Sequence, residues 1–157
     1  MNRMQAAQLY GARGVDIDRE IAYCLLWHEV VCSCGCCGCA VLAGEQVALW
    51  ETLRASVDMP VSIGSGYRCL HHPLERVKKR PGMHTLGLAL DLHWPPAFDR
   101  ARFASLVNGI WESGAVILYD WGLHADARGL RYRGEDRSAP NLEHELNGLR
   151  QAIGLFT

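Results

Sequence analysis

Imidazoles and carboxylates fall close together in two short stretches of this chain. In GMHTLGLALDLHW, residues 82–94, His84 stands seven positions before Asp91. In GLHADAR, residues 122–128, His124 and Asp126 alternate with Leu123 and Ala125. Two imidazoles and one carboxylate (His84, His124 and Asp91), with a fourth position left to water, make the donor set of a catalytic zinc site. Zinc lowers the pKa of such a water toward about 7 and polarises a carbonyl under attack. The alternative for each histidine is a structural residue satisfied within the fold.

Geometry sets a condition on that reading. Were residues 85–94 one extended strand, Leu86, Leu88, Leu90 and Leu92 would share one face, with Thr85, Gly87, Ala89, Asp91 and His93 on the other. His84 would then fall on the leucine face, roughly 23 Å from Asp91 at about 3.3 Å per residue. Donors to one metal must converge on an ion only about 2.0–2.2 Å away. His84 and Asp91 can share an ion only if the chain turns between them, and Gly87 is the residue that permits it.

Cysteines form a further concentration. Five lie in CSCGCCGC, from Cys32 to Cys39, with Cys24 upstream and Cys69 far downstream. An odd count argues against a complete disulfide framework. Cysteines two apart can grip a soft metal ion, with Gly35 and Gly38 letting the backbone wrap around it. The other reading is a cysteine-rich turn, reduced in the cell and pairing opportunistically after release. Paired knuckles at zinc-finger spacing are absent, and both readings stand.

The elements that must position these groups are legible as alternating periods. Val47, Trp50, Leu53 and Val57 predict an amphipathic helix over residues 44–58, ended by Met59-Pro60. A strand is expected in 60–68, then a long loop over 69–83 that holds Pro73, Pro81 and Gly82. Residues 88–94 read as a strand, closed by Pro95-Pro96. Phe103, Leu106, Val107, Ile110 and Trp111 mark a second helix ending at Gly114, followed by strands at 115–119 and 122–128. Residues 1–20 read as a short helix or loose arm, and 141–153 as a last short helix. Strands outnumber the helices that could cross between them, which predicts an α+β domain with a small antiparallel sheet and helices on one side.

Bulk properties narrow the function. At 157 residues, 49% of them apolar and 21% charged, the chain fits one globular domain, with an arm over 1–26, a core over 27–133 and a tail over 134–157. A net charge of −1 gives no argument for nucleic acid, and RVKKR at 76–80 reads as a solvated loop. No segment approaches the roughly 20 apolar residues of a membrane span. The first twenty residues lack the apolar centre of a secretory signal, so cytoplasmic synthesis is the expectation. Oligomeric state is left open.

Taken together, Ser65-Gly66-Tyr67-Arg68, then His84, Gly87, Ala89 and Asp91, then His124, Asp126 and Arg128 resemble the M15-type zinc D-Ala-D-Ala carboxypeptidases, in their compact phage and bacterial branch. The likeness covers roughly residues 27–133 and includes the interval from Arg68 to His84 and the upstream cysteine–glycine cluster. It implies a hedgehog/D-Ala-D-Ala-peptidase-like fold, Zn2+ held by His84, Asp91 and His124, and peptidoglycan or its stem peptides as partner. It implies that Arg68 holds a substrate carbonyl or carboxylate, a task suited to the fixed fork of guanidinium donors. Delivery to the cell wall would be that of a phage product. An endopeptidase cutting an interpeptide bridge, and a zinc-bearing domain that binds without turnover, are the other functions the same site serves.

The chain departs from that pattern at three places. The serine two before the first ligand is Gly82, the expected small-residue loop carries Arg76, Val77, Lys78 and Lys79, and the acid three before the last ligand is Trp121. The general base then falls to Asp120, one residue further back, or to Asp126, whose other role is to orient an imidazole. His93 shares the face of Asp91 and is expected at the rim or behind a ligand. His71 and His72 are candidates for the groove, and Trp94 and Trp121 for its wall or for the core.

Overall fold

The computed structural model describes residues 7–10, 20–35, 37–136 and 143–155. In chain order its elements are β1 (Ala7–Tyr10), β2 (Glu20–Ala22), β3 (Leu25–Leu26), α1 (Trp27–Val30), β4 (Ala40–Ala43), α2 (Gly44–Ser56), β5 (Ile63–Ser65), β6 (Ala89–His93), α3 (Arg100–Ile110), β7 (Ala115–Leu118), β8 (Gly122–Asp126), β9 (Tyr132–Glu135) and α4 (Glu143–Ile153). This is an α+β fold. β1 pairs with β4, β2 with β3, and the main sheet runs β5-β6-β8-β7-β9.

The expected antiparallel sheet is found from β5 to β7, but β9 joins β7 in parallel, so the sheet is mixed. Nothing in the short YRGE stretch had suggested a strand. It pairs because Arg133 reaches across to the Asn108 side chain and to the carbonyls of Asn108, Trp111 and Gly114 at the end of α3. Instead of a helix or loose arm, part of the first twenty residues is strand, at Ala7–Tyr10 and at Glu20; residues 1–6 and 11–19 lie outside the described residues.

One sheet face carries the core. Leu90 and Leu92 of β6, Leu123 and Ala125 of β8, and Val116 and Leu118 of β7 pack on Trp50 and Leu53 of α2 and Phe103 and Val107 of α3. Each strand therefore sends alternate side chains inward, as a period of two requires. α3 starts at Asp99, whose carboxylate accepts the Arg102 N–H at 2.7 Å. Leu149 and Ile153 of α4 complete the layer. Among the described residues no helix is long and apolar enough to cross a membrane.

Candidate metal centre

The polar members of the alternation meet on the opposite face. β6 and β8 are antiparallel neighbours whose register sets Asp91 directly beside His124. Cross-strand partners on one face hold their Cβ atoms about 4.5–5.5 Å apart, so the two side chains reach a common point. His84 joins them through the anticipated turn. Gly87 has φ +69°, its N–H donates to the His84 carbonyl at 3.2 Å, and a Cβ there would lie 2.6 Å from the Val41 carbonyl oxygen. His84 thus leaves the leucine face and folds back over the sheet. His84 Nε2 lies 3.1 Å from Asp91 Oδ1 and 3.2 Å from His124 Nδ1, and the latter two atoms are 2.9 Å apart.

The outer nitrogens decide what can sit between these atoms. His84 Nδ1 is 2.5 Å from the Gly66 carbonyl oxygen, and His124 Nε2 is 2.9 Å from Asp126 Oδ2. Both partners accept only, so both outer nitrogens carry the proton and donate. In neutral imidazoles the inner nitrogens then present lone pairs, and Asp91 Oδ1 presents a third. Three acceptors facing one point repel one another unless a proton or a metal cation sits between them. Their separations are slightly below the roughly 3.4 Å edge of a tetrahedron with bonds of about 2.1 Å, so His84, Asp91 and His124 could hold a metal ion.

Charge around the point favours that cation. Burial opposes ionisation of Asp91, but hydrogen bonds with His124 and His84 hold its carboxyl well below the usual carboxylate range. Burial also opposes ionisation of Asp126, yet Arg128 and His124 bring its carboxyl down to about 2. Desolvation lowers the pKa of His124, but Asp126 and Asp91 outweigh it and raise the imidazole above its ordinary value. Asp126 is fully buried and gripped by Arg128, through Nε at 2.8 Å and Nη2 at 2.6 Å. It lies behind His124, where it accepts from Nε2 and orients the ring. Asp126→Asn should weaken binding of a divalent metal ion by about 10–100-fold, read by competition with a chromophoric chelator. Unchanged affinity would show that the orientation does not depend on this carboxylate.

An open cleft of about 530 Å3 lies over the three donors, lined among others by Arg68, Leu74, Lys78, Tyr119, Trp121 and Arg128. Arg68 reaches Asp91 Oδ2 through Nη2 at 2.5 Å and Ser65 Oγ through Nε at 2.9 Å, so Nη1 keeps its donors for another acceptor. Asp120 is exposed and outside the cleft lining; its backbone carbonyl accepts from Trp94 Nε1 at 2.9 Å. Among the described residues Asp91 is the only carboxylate in that lining. Trp121 does wall the cleft, stacked on Tyr119 with ring centroids 4.8 Å apart, while Trp94 packs on Phe103. His93 sits against Trp121 outside the lining. His71 is exposed and His72 is buried between Ser33 and the Leu74 N–H, so neither lines the cleft.

Glu75 was missed by sequence reasoning. Its only signal is being the one acid in the basic run HHPLERVKKR. Its buried carboxylate accepts from Lys78 Nζ at 2.7 Å, Thr85 Oγ1 at 3.0 Å and the Gly82 N–H at 3.1 Å, which ties down the loop that delivers His84. It also explains Gly82. A Cβ there would lie 2.8 Å from Glu75 Oε2 and from Lys78 Nζ, so the serine of the resembled motif would have to push the ends of this ion pair aside. Burial opposes the charge of Glu75, but these partners prevail and lower its pKa. A lowered carboxyl contributes stability above the ordinary glutamate value of about 4.3, and that contribution disappears as pH falls through the folded-state value. Glu75→Gln should therefore cost about 1–3 kcal/mol near neutrality and progressively less below pH of about 4, read from urea midpoints with chelator present. An equal cost at both pH values would contradict this role.

The thiols of Cys32, Cys34, Cys37 and Cys69 form a second group, all four sulfurs within 4.8 Å of one another, and it too could hold a metal ion. Comparison with known proteins finds no family model, no curated protein and no solved structure that matches the chain.

Proposed function

We propose that the chain is a zinc-dependent peptidase that hydrolyses the peptide bond next to D-alanine in peptidoglycan stem peptides, in the manner of a D,D-carboxypeptidase. The observation that carries this reading is the convergence of three lone-pair donors, two imidazole and one carboxylate, at the base of an open cleft beside Arg68. The His2Asp set suits zinc, with His84, Asp91 and His124 as its holders. When bound there, zinc supplies Lewis acidity and makes water a competent nucleophile near neutral pH.

The chain's own residues supply binding and orientation. Gly66 and Asp126 keep the two imidazoles in the tautomers that face inward. Arg68 offers its remaining donors to the scissile carbonyl as charge develops on it. Arg68, Lys78 and Arg128 line the cleft, each ion-paired with an acid, Asp91, Glu75 and Asp126 in turn, so recognition of a substrate's free carboxylate would rest on the remaining Arg68 donors and not on net positive charge. Leu74, Met83, Ile117 and Trp121 provide apolar wall for the alanine methyl groups. A guanidinium contact to a terminal carboxylate favours a carboxypeptidase over an endopeptidase acting inside an interpeptide bridge. A hedgehog-like kinship of the fold belongs to the same proposal.

One observation favours a second reading. Neither Asp120 nor Asp126 lines the cleft, so among the described residues no carboxylate outside the ligand set is poised to take a proton there. A zinc-bearing domain that binds the cell wall without turnover needs no such base. The deciding experiment incubates zinc-loaded protein with a stem pentapeptide ending in D-Ala-D-Ala and measures free D-alanine and peptide binding in parallel. Release that stops with chelator and returns with zinc supports the peptidase. Binding without release supports the second reading, and neither release nor binding removes both.

A further inference from the structure

We propose that Cys32, Cys34, Cys37 and Cys69 are the four ligands of a second, structural zinc ion, which staples the segment carrying Gly66 and Arg68 to the loop between α1 and β4. The four thiols come from distant parts of the chain. Three belong to the loop between Val30 and Ala40, and Cys69 arrives from beyond β5. No disulfide joins the six described cysteines, and among them only these four converge on one point. Cys24 is exposed, and Cys39 turns its thiol to the Cys37 carbonyl at 3.1 Å.

The spacing is that of ligands around a centre. Cys34 Sγ lies 3.4 Å from Cys69 Sγ and 3.9 Å from Cys37 Sγ. Tetrahedral Zn–S bonds of about 2.3 Å place sulfurs roughly 3.8 Å apart, whereas a disulfide needs about 2.05 Å and consumes its thiols in pairs. Cys34 has two near sulfur neighbours instead of one. The Cys69 N–H donates to Cys32 Sγ at 3.3 Å, the kind of bond that stabilises sulfur carrying negative charge. Gly35 and Gly38, at φ +72° and +57°, turn the backbone after Cys34 and after Cys37, a conformation that glycine adopts without strain. Four soft donors with no open position describe a closed, structural site for zinc in preference to a harder cation.

The place of Cys69 says what such an ion would hold. Immediately before it, the Gly66 carbonyl accepts from His84 Nδ1, the Tyr67 N–H donates to the Val30 carbonyl at 2.8 Å, and Arg68 reaches Asp91. Four consecutive residues therefore bind, in turn, a ligand of the first centre, the last residue of α1, a second ligand of the first centre, and the thiol cluster. A zinc ion at the cluster fixes the end of this segment that has no strand partner. The thiol site itself does not depend on the cleft being a peptidase.

Metal analysis of the full chain separates the two centres. The intact protein, reconstituted with Zn2+ under reducing conditions, should hold two zinc ions per chain; His84→Ala and Cys34→Ser should each hold one, and Cys39→Ser two. Co2+ bound to the His84→Ala protein should show thiolate-to-cobalt charge transfer and the d–d bands of a tetrahedral sulfur site, lost in Cys34→Ser and kept in Cys39→Ser. Since a ligand variant can fail to fold, a second measurement uses the intact chain: titration of thiols with a mercurial should release one zinc while the other stays bound. Zinc at the first centre should also bind at least tenfold more weakly in Cys34→Ser. A single zinc insensitive to the mercurial, a cobalt spectrum without thiolate character, equal loss in Cys39→Ser, or a Cys34–Cys69 disulfide in freshly purified reduced protein would each overturn the assignment. Two zinc ions with unchanged first-centre affinity in Cys34→Ser would overturn the staple.

Discussion

His84→Ala should abolish both zinc binding at the first centre and any hydrolysis, down to the uncatalysed background. The reason lies in how few donors there are. With the imidazole gone, His124 and Asp91 remain as two ligands, and a three-ligand catalytic site keeps its affinity only when complete. The loss is doubled by packing, because His84 is nearly buried and its Nδ1 donates to the Gly66 carbonyl, so alanine also leaves that carbonyl without its partner. Metal content, circular dichroism and D-alanine release should be measured on one preparation. A folded variant that has lost zinc and activity together supports the centre. A folded, zinc-free variant that still releases D-alanine at the native rate would falsify the metallopeptidase reading.

Arg68→Ala should leave zinc in place and lower kcat by about 10²–10³-fold. That magnitude is typical when one donor to a developing oxyanion is removed. Asp91 Oδ1 faces the imidazoles while Oδ2 faces Arg68, so loss of the guanidinium frees the outer oxygen without disturbing the inner one. Arg68→Lys should recover little, since an ammonium cannot hold Asp91 Oδ2, Ser65 Oγ and a substrate oxygen in one plane. The split between parameters assigns the contact: a fall in kcat at constant KM places Arg68 on the scissile carbonyl, and a rise in KM alone places it on the terminal carboxylate. Unchanged kinetics in both variants would remove Arg68 from the substrate site.

Much of this arrangement is local and therefore readable from residue order. Alternation along LALDLH and GLHAD separates Asp91 and His124 from the leucines that enter the core, and the structure keeps that separation at Leu90, Leu92 and Leu123, while Leu88 packs in a second cluster with Ala43 and Ala127. The helices over 44–56 and 100–110 follow from three- and four-residue apolar steps, with Pro60 and Asp99 near their ends. The need for a turn at Gly87 follows from parity and bond length alone, before any fold is known. These inferences concern a residue and its neighbours within about ten positions, where backbone geometry leaves few choices.

Pairings between distant segments lie outside that reach. No local pattern says that β6 will lie beside β8 in the register that joins Asp91 to His124, or that YRGE will add a parallel strand. Asp126 was equally eligible as base or as orienting group until the fold placed it behind His124, fully buried and held by Arg128. Glu75 carries no local signal beside the basic run at 76–80, and Cys69 stands apart from the cluster in the sequence. Both acquire their partners through chain reversals whose cost is set by the whole core. Side-chain direction is a property of the strand it belongs to; side-chain company is decided by which strands and loops the core brings together.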